Sequence, residues 1–354
     1  MADTDPLVIH FNARVHGMKG HLLPQRAVVE FLDQGDLERF VDGLLDSPYR
    51  TEMAEALTRY EGADAVEEAV SRNLIATFQI LLSRCHGDFR ELVALFLARW
   101  DLMAVKSALR CVHHQLDGMA LGSALMPGPN LTPPILAELV ASDSIESLVQ
   151  GLIGWNGPMC RPLRAALPAY QETRELALLE EALDRAYFVD NAARLKDSTS
   201  PDGLMVRAHL QAEIDRINLR MVFQEVDSPG ANNTPVGERL LGQGTLAKSL
   251  LLRMAAAGDP AAAMEQLDRT KYARLVEELY QLLQTNRFSP MERFIERLLM
   301  RSVRQSARSD VFGIGVMMDY VWLKYNEVTN LRLIARGLAG NLPPGRVRDE
   351  LYAV

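Results

Sequence analysis

Cys111 and His114 stand three residues apart in "CVHH" (111–114). On a helix that spacing puts a thiol and an imidazole on one face, the beginning of a metal site. A closed site needs about four ligands. No Cys-x-x-Cys or His-Glu-x-x-His is present to supply them, so the ordinary reading is a buried thiol beside a polar helix end. "GERLLGQGTLAKS" (237–249) has the glycines of a phosphate-cradling loop. Yet Gly242 is followed by Gln-Gly instead of Lys-Ser/Thr, and no strand signal precedes it. There is no Gly-x-Ser-x-Gly, and no carboxylate pair stands apart from the many surface acids. No residue is singled out as nucleophile, general base, metal ligand or cofactor contact.

The residues that do recur form a phrase. "EIDRINLR" (213–220) and "YNEVTNLR" (325–332) each hold an acid, Asp215 or Glu327, then two residues, then Asn-Leu-Arg. The phrase supplies Asn218 and Arg220 in one copy, and Asn330 and Arg332 in the other. An earlier version, "RWDLMAVKSALR" (99–110), has Asp101 in the acid's place and Lys106 in the arginine's. It writes Ala104-Val105-Lys106 for Asn-Leu-Arg, which keeps the charge but loses the planar fork of guanidinium donors. Five residues separate the acid from the arginine, about 140° around a helix of 3.6 residues per turn. The two do not face each other, so each is expected to pair with a neighbouring helix as a polar clamp, or to meet a partner protein.

The elements that carry these residues read as helices. Leu, Ala, Glu, Arg and Met are abundant and aromatics make up 6% of 354 residues, a composition that favours helices over strands. Leu210, Ile214, Ile217 and Met221 recur at steps of four, three and four, one apolar helix face. Thr132-Pro133 and Ser200-Pro201 read as helix starts, and Ser289-Pro290 with Glu292 as a capping box. No alternating strand or hairpin stands out.

The repetition extends beyond the phrase. "VEEAVSR" (66–72), "LEEALDR" (179–185) and "MERFIER" (291–297) precede the three copies, the last two 112 residues apart. Earlier still, "GDLERFVDGLLDSPY" (35–49) echoes "GDPAAAMEQLDRTKY" (258–272), with Ser47 and Tyr49 against Thr270 and Tyr272; "DSIESLVQGLI" (143–153) is a weaker middle version. Two stretches rich in Gly and Pro, 117–134 and 227–244, read as linkers. The unit of repetition is larger than a solenoid repeat of about 20–50 residues. The reading is an all-α protein of three similar helical domains, 1–117, 130–227 and 240–354.

Charge and hydropathy narrow the class. The net charge is −8. From residue 236 onward 17 Lys and Arg stand against 13 Asp and Glu, while residues 1–235 hold 21 against 33. Such an acidic chain is a poor nucleic-acid binder. No apolar run reaches the ~18–20 residues of a membrane span. "MADTDPLVIH" lacks the basic start and apolar core of a secretory signal. Cys85, Cys111 and Cys160 are odd in number and widely spaced, as expected of reduced thiols in the cytoplasm. Arg293, Arg297, Arg301, Arg304 and Arg308 follow one another at helical steps. They form a basic stripe that is either a solvated face or a contact for acidic groups.

The three phrases, with "NARVHGMKGHLL" (12–23) and "DVFGIGVMMDYVWLKYNEVTNLRLIARGLAGNLPPGRVRDEL" (310–351), resemble the C subunit of archaeal and bacterial V/A-type rotary ATPases. Its counterpart in eukaryotes is the d subunit of the V-ATPase. The resemblance runs nearly end to end and is weakest over 154–168 and the second linker. It implies a pseudo-three-fold funnel of three helical domains. It implies a non-catalytic rotor subunit that sits on the membrane ring, receives the central shaft and passes torque between them for ATP-coupled ion transport. It would have no cofactor and no nucleic acid, would reach the membrane only through its partners, and would lie at the cytoplasmic face as a peripheral subunit. Partner contacts would then be sought among Asp101, Lys106, Asp215, Asn218, Arg220, Glu327, Asn330, Arg332 and the stripe residues Arg301, Arg304 and Arg308. Two other readings compete. A helical adaptor or scaffold unrelated to rotary ATPases would explain the repeat but not the family likeness. An enzyme with its site at the pseudo-three-fold axis would show a deep pocket with strongly perturbed acids or bases.

Overall fold

The computed structural model describes residues 6–116, 125–155, 159–230, 234–273 and 312–352. Among these the chain is all helix and turn, with no strand. The N-terminal part forms α1 (Pro6–Lys19), α2 (Gln25–Gln34), α3 (Leu37–Leu45), α4 (Arg50–Ala56), α5 (Gly62–Ser83) and α6 (Gly87–His113). There follow α7 (Pro133–Val140), α8 (Ile145–Trp155), α9 (Cys160–Thr173) and α10 (Leu176–Asp184). A π-turn at Arg185–Val189 leads into α11 (Asp190–Arg194) and then the long α12 (Pro201–Asp227). Short helices α13 (Val236–Arg239), α14 (Lys248–Ala255) and α15 (Pro260–Glu265) precede α16 (Gly315–Ala339) and α17 (Pro344–Glu350).

The expected helix starts at Thr132-Pro133 and Ser200-Pro201 are present. Pro133 opens α7 and Pro201 opens α12. Ser200 Oγ accepts the Gly203 N–H at 3.0 Å, satisfying one of the four N–H groups a helix start leaves orphaned. The capping box at Ser289, Pro290 and Glu292 and the stripe Arg293 to Arg308 lie outside the described residues.

The chain separates into two compact units, residues 1–180 with 310–354, and residues 181–309. In the first, α16 packs on α5 and against α1, α2 and α3. It is buried on nearly all sides. Trp100 from α6 meets Trp322 from α16 edge-on at 5.6 Å, with Phe78 and Phe96 against Trp100 at 5.5 Å. In the second, α12 packs on α14 and α15. Leu219, Val222 and Phe223 join Leu251, Met254 and Met264 in one core. Leu210, Ile214, Ile217 and Met221 are buried, as their spacing predicts. Near the end of the 227–244 stretch, Leu240 and Leu241 are buried.

α6, α12 and α16 are long, at 27, 27 and 25 residues, and each carries one copy of the phrase near its middle or end. Their interior positions hold polar side chains, and burying those requires partners.

Candidate functional site

Each phrase acid is buried: Asp101 is 2% exposed, Asp215 and Glu327 0%. Each takes hydrogen bonds from a turn that leads into a short helix. Asp101 Oδ1 accepts the backbone N–H groups of Asn130 and Leu131, both at 3.0 Å, and Oδ2 accepts the Asn130 side-chain amide at 2.8 Å. α7 begins two residues later. Asp215 Oδ1 accepts from the backbone of Thr245 at 2.8 Å and Leu246 at 3.0 Å, with the Thr245 hydroxyl on Oδ2. α14 follows. Glu327 Oε2 accepts the Leu23 N–H, just ahead of α2. Hydrogen bonds to a charged acceptor contribute about 1.5–3 kcal/mol each, enough together to offset much of the cost of burying the carboxylate.

Two of the acids share a further arrangement. The Tyr272 hydroxyl donates to Asp215 Oδ2 at 2.7 Å, and the Tyr49 hydroxyl to Glu327 Oε1 at 2.6 Å. Both tyrosines are set by the same turn. Ser47 Oγ donates to the Leu44 carbonyl and accepts the Tyr49 N–H; Thr270 Oγ1 does the same with Leu267 and Tyr272. Burial, reinforced by the adjacent carboxylate, pushes both phenols far above their ordinary range, so they stay protonated donors. A lysine completes each group. Lys271 lies 3.5 Å from Asp215 and 4.8 Å over the Tyr272 ring. Lys324 lies 3.0 Å from Glu327, donates to the Tyr49 hydroxyl at 2.8 Å and sits 4.2 Å over its ring. Burial pulls the Lys324 ammonium below its ordinary range and Glu327 opposes that pull. At Asp101, burial raises the carboxyl against three N–H donors that lower it.

The asparagines grip backbone. Asn218 gives its amide N–H to the Leu241 carbonyl at 2.9 Å and takes the Leu241 N–H at 2.7 Å. Asn330 does the same to Tyr352 at 2.9 and 2.8 Å. Ala104 cannot make this bond, in keeping with the departure seen in the sequence.

The basic positions meet acids from the Glu-Glu runs. Arg332 is buried, 3.6 Å from Glu67, which Arg336 also holds. Arg332 reaches the Leu125 carbonyl at 3.4 Å as well. Burial lowers its pKa while Glu67 resists. Lys106 is 3.9 Å from Glu180, which Arg110 grips with two bonds at 2.6 and 2.8 Å. Arg220 is half-buried on α12. Arg301, Arg304 and Arg308 lie outside the described residues.

The structure therefore ties the first two phrases to segments that follow them, whereas the third is held by Leu23, Tyr49 and Glu67 far upstream as well as by Tyr352. Glu67 and Glu180 were legible as repeats but not as partners. Tyr49 and Tyr272 carried a signal, the shared Ser/Thr-x-Tyr. Lys324 had none, since Ala98 and Ala212 stand three residues before the other acids.

The weaker motifs resolve otherwise. Cys111 is a buried free thiol whose pKa burial raises. His113, beside His114, contacts the Tyr170 hydroxyl at 3.0 Å. Among the described residues no group of three or more His, Cys, Asp or Glu could hold a metal ion. In the glycine-rich stretch, the Thr245 and Leu246 N–H groups point at Asp215, where a phosphate cradle would need them open. Among the described residues no helix is long and apolar enough to cross a membrane.

Long helices whose buried polar groups fasten turns and helices from other parts of the chain define a helical framework protein. The sequence profile of the ATP synthase (C/AC39) subunit family matches residues 11–350, and the chain belongs to that family. It is similar to the C subunit of the A-type ATP synthase of Methanococcoides burtonii, 26% identical over 348 residues, 97% of this chain and 93% of the relative. It is likewise similar to the C subunit of the V-type ATP synthase of Deinococcus radiodurans, 28% identical over 351 residues, 97% of this chain and 91% of the relative. The chain is thus a subunit of the V/A-type rotary ATPase class.

Proposed function

We propose that this protein is the central-stalk subunit that links the membrane rotor ring to the central shaft and transmits torque between them. It turns with both, at the cytoplasmic face of the membrane, and catalyses no reaction itself. Three domains of common descent form a funnel with pseudo-three-fold symmetry. The observation that carries this reading is the family match from residue 11 to residue 350. A coupler must be stiff, and the phrase residues support that. Asp101, Asp215, Asn218, Glu327, Asn330 and Arg332 spend their hydrogen bonds inside the chain, where each holds a turn or a neighbouring helix in place. Contacts with ring and shaft then fall to surface groups, for which the basic stripe Arg301, Arg304 and Arg308 is the candidate.

The test is capture of the tagged protein from membranes at low salt, with identification of what accompanies it. Ring and shaft proteins are expected; their absence overturns the assignment. Deleting the gene is expected to leave ATP hydrolysis uncoupled from ion pumping, and fully coupled pumping in its absence refutes the role. The triple variant R301E/R304E/R308E is expected to fold but assemble more weakly at low salt, because weak ion pairs with a partner act collectively and are screened by salt. Wild-type assembly of that variant removes the stripe from the interface.

A further inference from the structure

Asp101 holds turn residues 29 and 30 positions downstream, and Asp215 holds residues 30 and 31 positions downstream. A short run of peptide keeps each acid near its turn. Glu327 has no such tether. Its turn residue, Leu23, lies 304 positions upstream, and Tyr49 lies 278 upstream. Effective concentration falls as about the 3/2 power of separation along a flexible chain, so a tenfold longer separation lowers it about 30-fold. The same fastening has to be made there without the chain's help.

The polar ties that differ between the three places are concentrated at this one. Glu327 finds one backbone N–H, because Leu22 N–H is already bonded to the Lys19 carbonyl in the turn that ends α1. The missing donor is replaced by Lys324, whose side chain is 7% exposed, where Asp101 has a neutral amide and Asp215 has Lys271, whose side chain is 47% exposed. Further ties join the same two parts of the chain. Lys19 pairs with Asp319 at 2.5 Å, Arg348 pairs with Asp33, and Asn12 donates to the Gly313 carbonyl at 3.2 Å.

We propose that Glu327, Tyr49 and Lys324 form a closure lock: a buried ionic group that fastens α1–α4 to α16 where no peptide link does so. It fulfils the third turn of a relay whose first two turns are covalently assisted. A covalent link in the same place makes the lock dispensable. This inference concerns the folded chain alone and stands apart from the role proposed above.

The experiment compares the linear chain with a backbone-cyclised one, in which Val354 is joined to Met1 through a flexible linker. Native-state hydrogen exchange is read in α2 and α3 against α6. In linear E327Q, exchange in α2 and α3 is expected to rise at least tenfold more than in α6. Y49F, which leaves the Lys324–Glu327 pair intact, is expected to show the same pattern at smaller size and to carry the comparison where E327Q folds poorly. Cyclisation is expected to return both variants to the protection of the linear wild type, by effective concentration. D101N is expected to spare α2 and α3, and cyclisation to leave it unchanged. Exchange that rises equally in all helices, loosening that persists after cyclisation, or selective loosening of α2 and α3 by D101N would each overturn the proposal.

Discussion

Asp215 takes its backbone donors from two consecutive residues, Thr245 and Leu246, while Glu327 takes one, from Leu23. Both receive a tyrosine hydroxyl from the same Ser/Thr-x-Tyr turn. Their lysines come from different places. Lys271 precedes its tyrosine in sequence and remains half exposed, whereas the residue before Tyr49 is Pro48 and the cation arrives from α16 as Lys324. The same cluster, acid, phenol and ammonium, is assembled by two routes. What separates them is solvent: one charge pair is screened by water and the other is sealed. Burial turns a modest interaction into one that is costly to break on one side only.

E327Q against D215N tests this difference most strongly. E327Q leaves the buried Lys324 ammonium without its carboxylate and is expected to cost about 3–5 kcal/mol. D215N leaves Lys271 free to turn to water and is expected to cost about 1–3 kcal/mol, the penalty of unsatisfied donors. Urea midpoints at constant m-value measure both. Equal losses would show that burial of the lysine is not what distinguishes the two sites.

The asparagines offer a second contrast. N218A strands both backbone groups of buried Leu241, and N330A those of the more accessible Tyr352. The first is expected to cost about 2–3 kcal/mol and the second about 1 kcal/mol, because water can reach the freed groups at Tyr352. Thermal unfolding of the two alanine variants decides it, and a reversed order would break the burial argument.

The glycines that let the turns approach the helices provide a third. A Cβ on Gly128 would come within 2.6 Å of the Asp101 backbone nitrogen, whereas one on Gly244 would meet mainly the Asp215 side chain, at 2.5 Å. G128A is therefore expected to cost more, about 2–3 kcal/mol against about 1–2 for G244A, since side chains yield more readily than backbone. Denaturation midpoints of the two variants check the order.

The smallest effects are expected at Lys106 and Arg220. Lys106 is 3.9 Å from a Glu180 that Arg110 already binds, so K106A is expected to cost about 0–1 kcal/mol in the same assay. By register alone Glu292 stands to Arg220 as Glu67 stands to Arg332. A double-mutant cycle on Arg220 and Glu292 is expected to give a coupling of about 0.5 kcal/mol; zero coupling would end the analogy at the second phrase.

By itself the sequence determined the helices and their repetition. Apolar residues at steps of three and four fix α12, Pro133 and Pro201 fix two helix starts, and the acid-x-x-Asn-Leu-Arg phrase marks two of the three long helices, with its altered copy from Asp101 to Lys106 on the third. Those are local facts, carried by periodicity and capping within a few residues. The angle between acid and arginine also ruled out a pair within one helix, and the structure places the partners of Asp101, Asp215, Glu327 and Arg332 outside the helix that bears them, apart from Lys324 one turn before Glu327. The partners themselves were not legible. Leu23 is some three hundred residues from Glu327, Lys324 has no counterpart in the other phrases, and the donors at Asn130, Thr245 and Leu246 are mostly backbone N–H groups, which every residue but proline carries. Only tertiary structure could choose among so many equivalent donors. It does so by burying the carboxylates, after which the N–H groups that happen to face them become the ones that must be bonded.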